Sequence, residues 1–147
     1  MKELTKILVV DDEEINRKLI KERLNRLGYS AVEEAGNNRD VEILFKNGYV
    51  PDLIFMDTSM GRDLAGYEIC KRIKNNDYDS AVIGMSASLL FEECAEKWKD
   101  AGADGFIDKY SIATLDGVIL KAIIIYALKK NDKMFHSVKS DPFKEVQ

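Results

Sequence analysis

The chain has 147 residues, enough for one ordinary domain with its own core and too few for two of typical size. Hydrophobic residues make up 46% and charged residues 33%, a globular mix that argues against a disordered or fibrous chain. A formal net charge of -4 offers no basic field to a phosphate backbone, so direct nucleic-acid binding is not expected; the Lys129-Lys130 pair is a local exception.

In chain order, residues 6–10 read as a buried strand, residues 15–27 as a helix closed by Gly28, and residues 30–34 as a second strand. Asn37 or Asn38 can cap a second helix that runs to Phe45 and stops at Asn47-Gly48. Residues 53–56 form an uninterrupted apolar run, as expected of a central strand covered on both faces, and the run ends in Asp57. A third helix is predicted over residues 67–74, a fourth strand over 81–85, a fourth helix over 89–101 and a fifth strand at Phe106-Ile107. One last helix is predicted over residues 114–130, its Ile119, Ile123 and Ile124 stripe continuing to Tyr126 and Leu128 and packing onto the sheet. Strands that alternate with helices in this way form βα units on a parallel sheet, so the fold class is α/β.

Residues 131–147 carry Ser, Asp, Pro and Lys with scattered apolar side chains, and read as a tail or helix extension rather than an output domain. The expected organisation is one domain over residues 1–130 followed by that tail. Cys70 and Cys94 lack metal-ligand spacing and are too few for a disulfide framework. No signal-like opening is visible, and the apolar stretch 119–128 falls short of the ~20 residues a membrane span needs, so a cytoplasmic location without membrane association is expected.

Chemistry-bearing residues follow the apolar runs. Strand one leads into Asp11-Asp12-Glu13-Glu14, strand three ends in Asp57, strand four in Ser86 and strand five in Asp108-Lys109. In an open parallel sheet, ligands bind where the carboxyl ends of the strands converge. Carboxylates gathered there repel one another unless protonated or neutralised, and a hard dication such as Mg2+, with its octahedral oxygen ligation, suits Asp11, Asp12 and Asp57. Helix capping accounts for Glu13 and Glu14. It does not account for Asp57, whose carboxylate follows four buried-looking residues.

Taken together, Ile7-Leu8-Val9-Val10-Asp11-Asp12, then Asp57 with Met60, then Ser86-Ala87, then Gly102-Ala103-Asp104-Gly105-Phe106-Ile107-Asp108-Lys109 resemble the receiver domain of two-component response regulators over residues 4 to about 128. The resemblance implies a doubly wound, flavodoxin-like three-layer sandwich with a five-stranded parallel sheet in the order 2-1-3-4-5. It implies Asp57 as phosphoacceptor; Asp11, Asp12, Asp57 and the Ser59 main-chain carbonyl as ligands of Mg2+ or Mn2+; and Lys109 as the cation that contacts the phosphoryl group. It further implies Ser86 and Phe106 as switch residues. Partners would be a sensor histidine kinase or phosphotransfer protein and a downstream protein target. A homodimer through the face of helix four, strand five and helix five is a further expected association. Such a domain assists its own phosphorylation and dephosphorylation without being an enzyme in the ordinary sense.

Two positions depart from that pattern. Met60-Gly61-Arg62-Asp63-Leu64-Ala65-Gly66 lacks the family's proline after Met60 and is one residue longer, and Tyr110 stands where the family commonly has a proline, so a trans Lys109-Tyr110 bond or a strained one is expected. Three readings follow: a stand-alone phosphorylated receiver, a receiver fold that binds partners without phosphorylation, and an aspartyl-nucleophile phosphatase. The adjacency of Asp11 and Asp12 disfavours the last. A flavin site is disfavoured because the acidic run after strand one would repel a phosphate.

Overall fold

Short apolar runs separated by amphipathic stretches bury both of their faces only as neighbours in one sheet covered by helices on each side. The computed structural model describes residues 4–61, 65–87 and 91–132, the side chain of Phe91 excepted. In chain order its elements are β1 (Ile7–Val10), α1 (Glu14–Arg26), β2 (Val32–Ala35), α2 (Asn38–Lys46), β3 (Leu53–Asp57), α3 (Gly66–Asn75), β4 (Ala81–Ser86), α4 (Phe91–Asp100), β5 (Gly105–Asp108), α5 (Lys109–Thr114) and α6 (Gly117–Asn131).

The strands pair in parallel in the order β2-β1-β3-β4-β5, as expected. Side chains alternate between the two faces. Ile7, Val9, Phe55 and Ile83 pack with Leu24 of α1, Ile112 of α5 and Leu120 and Ile124 of α6. Leu8, Val10, Ile54, Met56 and Val82 pack with Val41 and Phe45 of α2, Ile69 and Ile73 of α3 and Trp98 of α4. Each large apolar side chain buried in this way contributes roughly 1.5–3 kcal/mol of transfer free energy.

The single last helix expected over residues 114–130 is instead two. Leu115 is extended (φ -63°, ψ 147°), and the Asp116 carboxylate accepts the Val118 N–H at 2.8 Å, so that α6 starts afresh. The short α5 has its own cap, Asp108, which accepts the Tyr110 N–H at 2.8 Å. The Lys109-Tyr110 bond is trans. The expected stripe on α6 is also corrected. Leu120, Ile124 and Ala127 are the buried positions, with Ile123 and Leu128 partly buried, whereas Ile119 and Tyr126 are 50% and 66% exposed. An apolar residue at almost every position of α6 conceals which ones face the sheet.

At the edge where the strands begin, Lys74 Nζ donates to Ser80 O (2.9 Å), Asp104 Oδ2 (2.7 Å) and Asn131 Oδ1 (2.7 Å). The same Asp104 oxygen accepts the Val82 N–H at 2.9 Å. This cluster ties the ends of α3 and α6 to the sheet. The expected start of helix four at residue 89 and the tail over residues 133–147 lie outside the described residues.

Candidate functional site

All five strands point the same way, so the residues that end them share one edge. Register aligns Val10 with Met56, Asp57 with Met85, and Ser86 with Asp108, which brings Asp11, Asp57, Ser86 and Lys109 around one cleft. One oxygen from each of Asp11, Asp12 and Asp57 lies within 4.8 Å of the other two. Lys109 Nζ stands 2.7 Å from Asp11 Oδ2 and 3.1 Å from Asp57 Oδ1. The cleft measures about 470 Å³, and its lining includes Asp12, Asp57, Ser59, Ser86 and Lys109.

Burial differs among the three acids. Asp11 is fully buried and Asp57 nearly so, while Asp12 is exposed. Asp11 Oδ1 accepts the Glu13 N–H at 2.9 Å. Its Oδ2 is paired with Lys109 Nζ at 2.7 Å, a cation that Asp57 shares. Three carboxylates grouped around a single lysine are a donor set suited to a hard divalent cation.

Burial and then the neighbouring Asp11 charge push the Asp57 carboxyl up to about 6, against the opposing pull of Lys109. Burial acts to lower the Lys109 ammonium, but its bonds to Asp11 and Asp57 outweigh that and leave it above the ordinary lysine value. The site thus holds its lysine charged and its Asp57 reluctant to ionise without a further cation.

Of the residues singled out in the sequence, Asp11, Asp12, Asp57 and Lys109 come together. Ser86 is buried at the same cleft, its Oγ 3.8 Å from Cys94 Sγ, and Ser59 lies exposed at the rim. Phe106 is half-buried against the core on the α2-α3-α4 side of the sheet and does not line the cleft. Glu14 occupies the first turn of α1 as expected, but Glu13 at the cap position makes no side-chain capping bond. The altered loop falls partly on residues 62–64, outside the described residues; its far stem, Gly66, donates its N–H to Thr58 O at 2.9 Å. A Cβ on Gly66 would sit 1.8 Å from the Asp57 carbonyl oxygen.

Sequence reasoning passed over Thr58 and Trp98. The Trp98 indole N–H donates to Thr58 Oγ1 at 2.8 Å, and that hydroxyl donates to Met85 O at 2.6 Å. A signal was present in Gly84, since a glycine inside an otherwise apolar strand marks a close approach. A second cavity of about 190 Å³ between α2 and α3, lined by Val41, Phe45, Ile69 and Ile73 among others, lacks any comparable convergence of carboxylates.

A family model described as the response regulator receiver domain matches residues 7–119. The chemotaxis protein CheY of Halobacterium salinarum is 38% identical over 104 residues, covering 70% of this chain and 82% of that protein. The sensor histidine kinase RcsC of Escherichia coli is 34% identical over 121 residues, covering 82% of this chain; the chain spans only 12% of that kinase's length. Among solved structures, the N-terminal domain of a response regulator/sensory box/GGDEF 3-domain protein from Carboxydothermus hydrogenoformans superposes with a TM-score of 0.71 at 28% identity, covering 85% of this chain and 94% of that one.

Proposed function

Because the chain belongs to the response regulator receiver domain family, we propose that Asp57 accepts a phosphoryl group from a histidine kinase or phosphorelay protein and that the phosphorylated chain signals by protein-protein contact. The observation that carries this reading is the nearly buried Asp57 carboxylate, 3.1 Å from Lys109 and grouped with Asp11 and Asp12 at one cleft.

In the proposed step, an Asp57 oxygen attacks phosphorus in line. The bond from phosphorus to the donor breaks, its electron pair leaves with the donor, and an acyl phosphate forms on Asp57. Positioning and neutralisation of the equatorial oxygens supply most of the rate. Lys109 supplies one of those charges from its place between Asp11 and Asp57. A Mg2+ or Mn2+ ion held by Asp11, Asp12, Asp57 and the Ser59 carbonyl would supply the rest by neutralising the carboxylates and the incoming oxygens. The Ser86 hydroxyl is the proposed donor to a phosphoryl oxygen, and Phe106 is the proposed reporter on the face of α4, β5 and the last helices, which is also the proposed dimer surface.

The reading takes residues 1–130 as the receiver and the remainder as a tail, in a cytoplasmic protein whose partners are a kinase or phosphotransfer protein and a downstream target. Among the described residues no helix is long and apolar enough to cross a membrane. Incubation with acetyl phosphate and Mg2+, followed by intact-mass measurement, tests the proposal. One added phosphoryl group is expected, lost in Asp57→Asn and lost on chelation. An unchanged mass in the native chain would favour a receiver fold that works by binding alone.

A further inference from the structure

We propose that Trp98 is a positioning residue for the phosphoacceptor end of β3: its indole N–H holds the Thr58 hydroxyl and so ties α4 to the chemical state of Asp57. The inference rests on the reading of Asp57 given above.

Trp98 is fully buried on α4 and lies flat against β4 at Gly84, where a Cβ would come within 2.3 Å of the indole. A phenyl ring would fill much of that seat with no polar group to satisfy. An indole instead brings an N–H that must find a partner when buried, and the partner it finds is the residue next to Asp57. Thr58 is then held three ways. Its hydroxyl accepts from Trp98 at 2.8 Å and donates to Met85 O at 2.6 Å, and its own N–H donates to the same carbonyl at 2.9 Å.

One turn earlier on α4, Cys94 Sγ stands 3.8 Å from Ser86 Oγ. Positions 94 and 98 share a helix face, and that face touches the ends of both strands that flank the cleft. From the first turn of α3, the Tyr67 ring meets Trp98 edge-on with centroids 6.3 Å apart. A phosphoryl group brings the carboxylate's site to a charge of about -2. Any resulting shift of β3's last residue passes through Thr58 to the indole, and thence to α4.

The chain has one tryptophan, so its emission reports on this position alone. Emission of the full chain is recorded while Mg2+ and then beryllofluoride are added, and Asp57 phosphorylation by acetyl phosphate is followed in parallel by intact mass. A saturable emission change is expected in the native chain. It should be largely lost in Thr58→Val, which keeps the shape but not the hydroxyl, and restored in Thr58→Ser. Trp98→Phe should slow phosphorylation by about threefold to tenfold, the span of one modest hydrogen bond. A merely structural contact would lower the melting temperature without removing the emission response. Phosphorylation with a silent indole, or a full response in Thr58→Val, overturns the proposal and leaves the role of Asp57 intact; should Thr58→Val fail to fold, the native chain, Thr58→Ser and Trp98→Phe decide. No phosphoryl group on Asp57 would overturn the proposed function itself.

Discussion

The two edges of the sheet each set a lysine against buried aspartate, with opposite results. Where the strands begin, Lys74 faces Asp104, and a carbonyl and an amide oxygen complete its shell. Charge there is balanced one to one. Where the strands end, Lys109 faces Asp11 and Asp57, with Asp12 beside them, so that one cation serves three carboxylates. A saturated ion pair holds elements together, whereas an acidic excess left by one lysine among three carboxylates stores electrostatic free energy that a cation or a chemical change can release.

The largest effect should come from breaking the balanced edge. Lys74→Met leaves Asp104 buried without its cation, at a cost of about 3 kcal/mol in chemical denaturation. Mg2+ should raise both chains alike and leave that difference unchanged.

At the other edge, removing a charge should help. Asp57 keeps its proton up to about pH 6 in the folded chain, against 3.8 as the ordinary value. The folded state therefore binds more protons than the unfolded between those values, and stability falls as pH rises through that window. Asp57→Asn escapes this penalty. In chelator, it should be more stable than the native chain by roughly 1–3 kcal/mol at pH 7, with the gap closing by pH 4. Denaturation curves across that range would show it, and a pH-independent gap would refute the account.

Mg2+ at ten times its dissociation constant should stabilise the native chain by about 1.4 kcal/mol. The gain should shrink in Asp11→Asn and Asp57→Asn and persist in Lys74→Met, as read by thermal melts. The smallest effect sets the baseline. Asp116→Ala removes an exposed cap from α6 and should cost about 1 kcal/mol, with the Mg2+ increment unchanged.

The same contrast separates what was legible in the chain from what was not. β1, β3 and β4 are largely apolar runs that lead into or end in Asp11, Asp57 and Ser86, and Lys109 follows β5, so the strands and the site residues were readable in the chain, while the strand order came with the family resemblance. The Lys74 cluster was not, because residues 74, 80, 104 and 131 meet only in three dimensions and no local pattern links them. The break between α5 and α6 had a local sign in Asp116-Gly117, which the uniform apolar character of α6 overrode. Trp98 and Thr58 are 40 residues apart, and only Gly84 hinted at the indole's seat.

Gly66 fastens the start of α3 to the end of β3. Its amide is fastened to the carbonyl of Thr58, and it has no room for even a methyl group against the peptide of Asp57. The Thr58 carbonyl and the Gly66 amide are thereby pinned to each other beside Asp57, whatever the length of chain that joins them. An extra residue in this segment is thus compatible with an unmoved carboxylate, while the single swap Gly66→Ala, which adds no length at all, would lever the strand end itself.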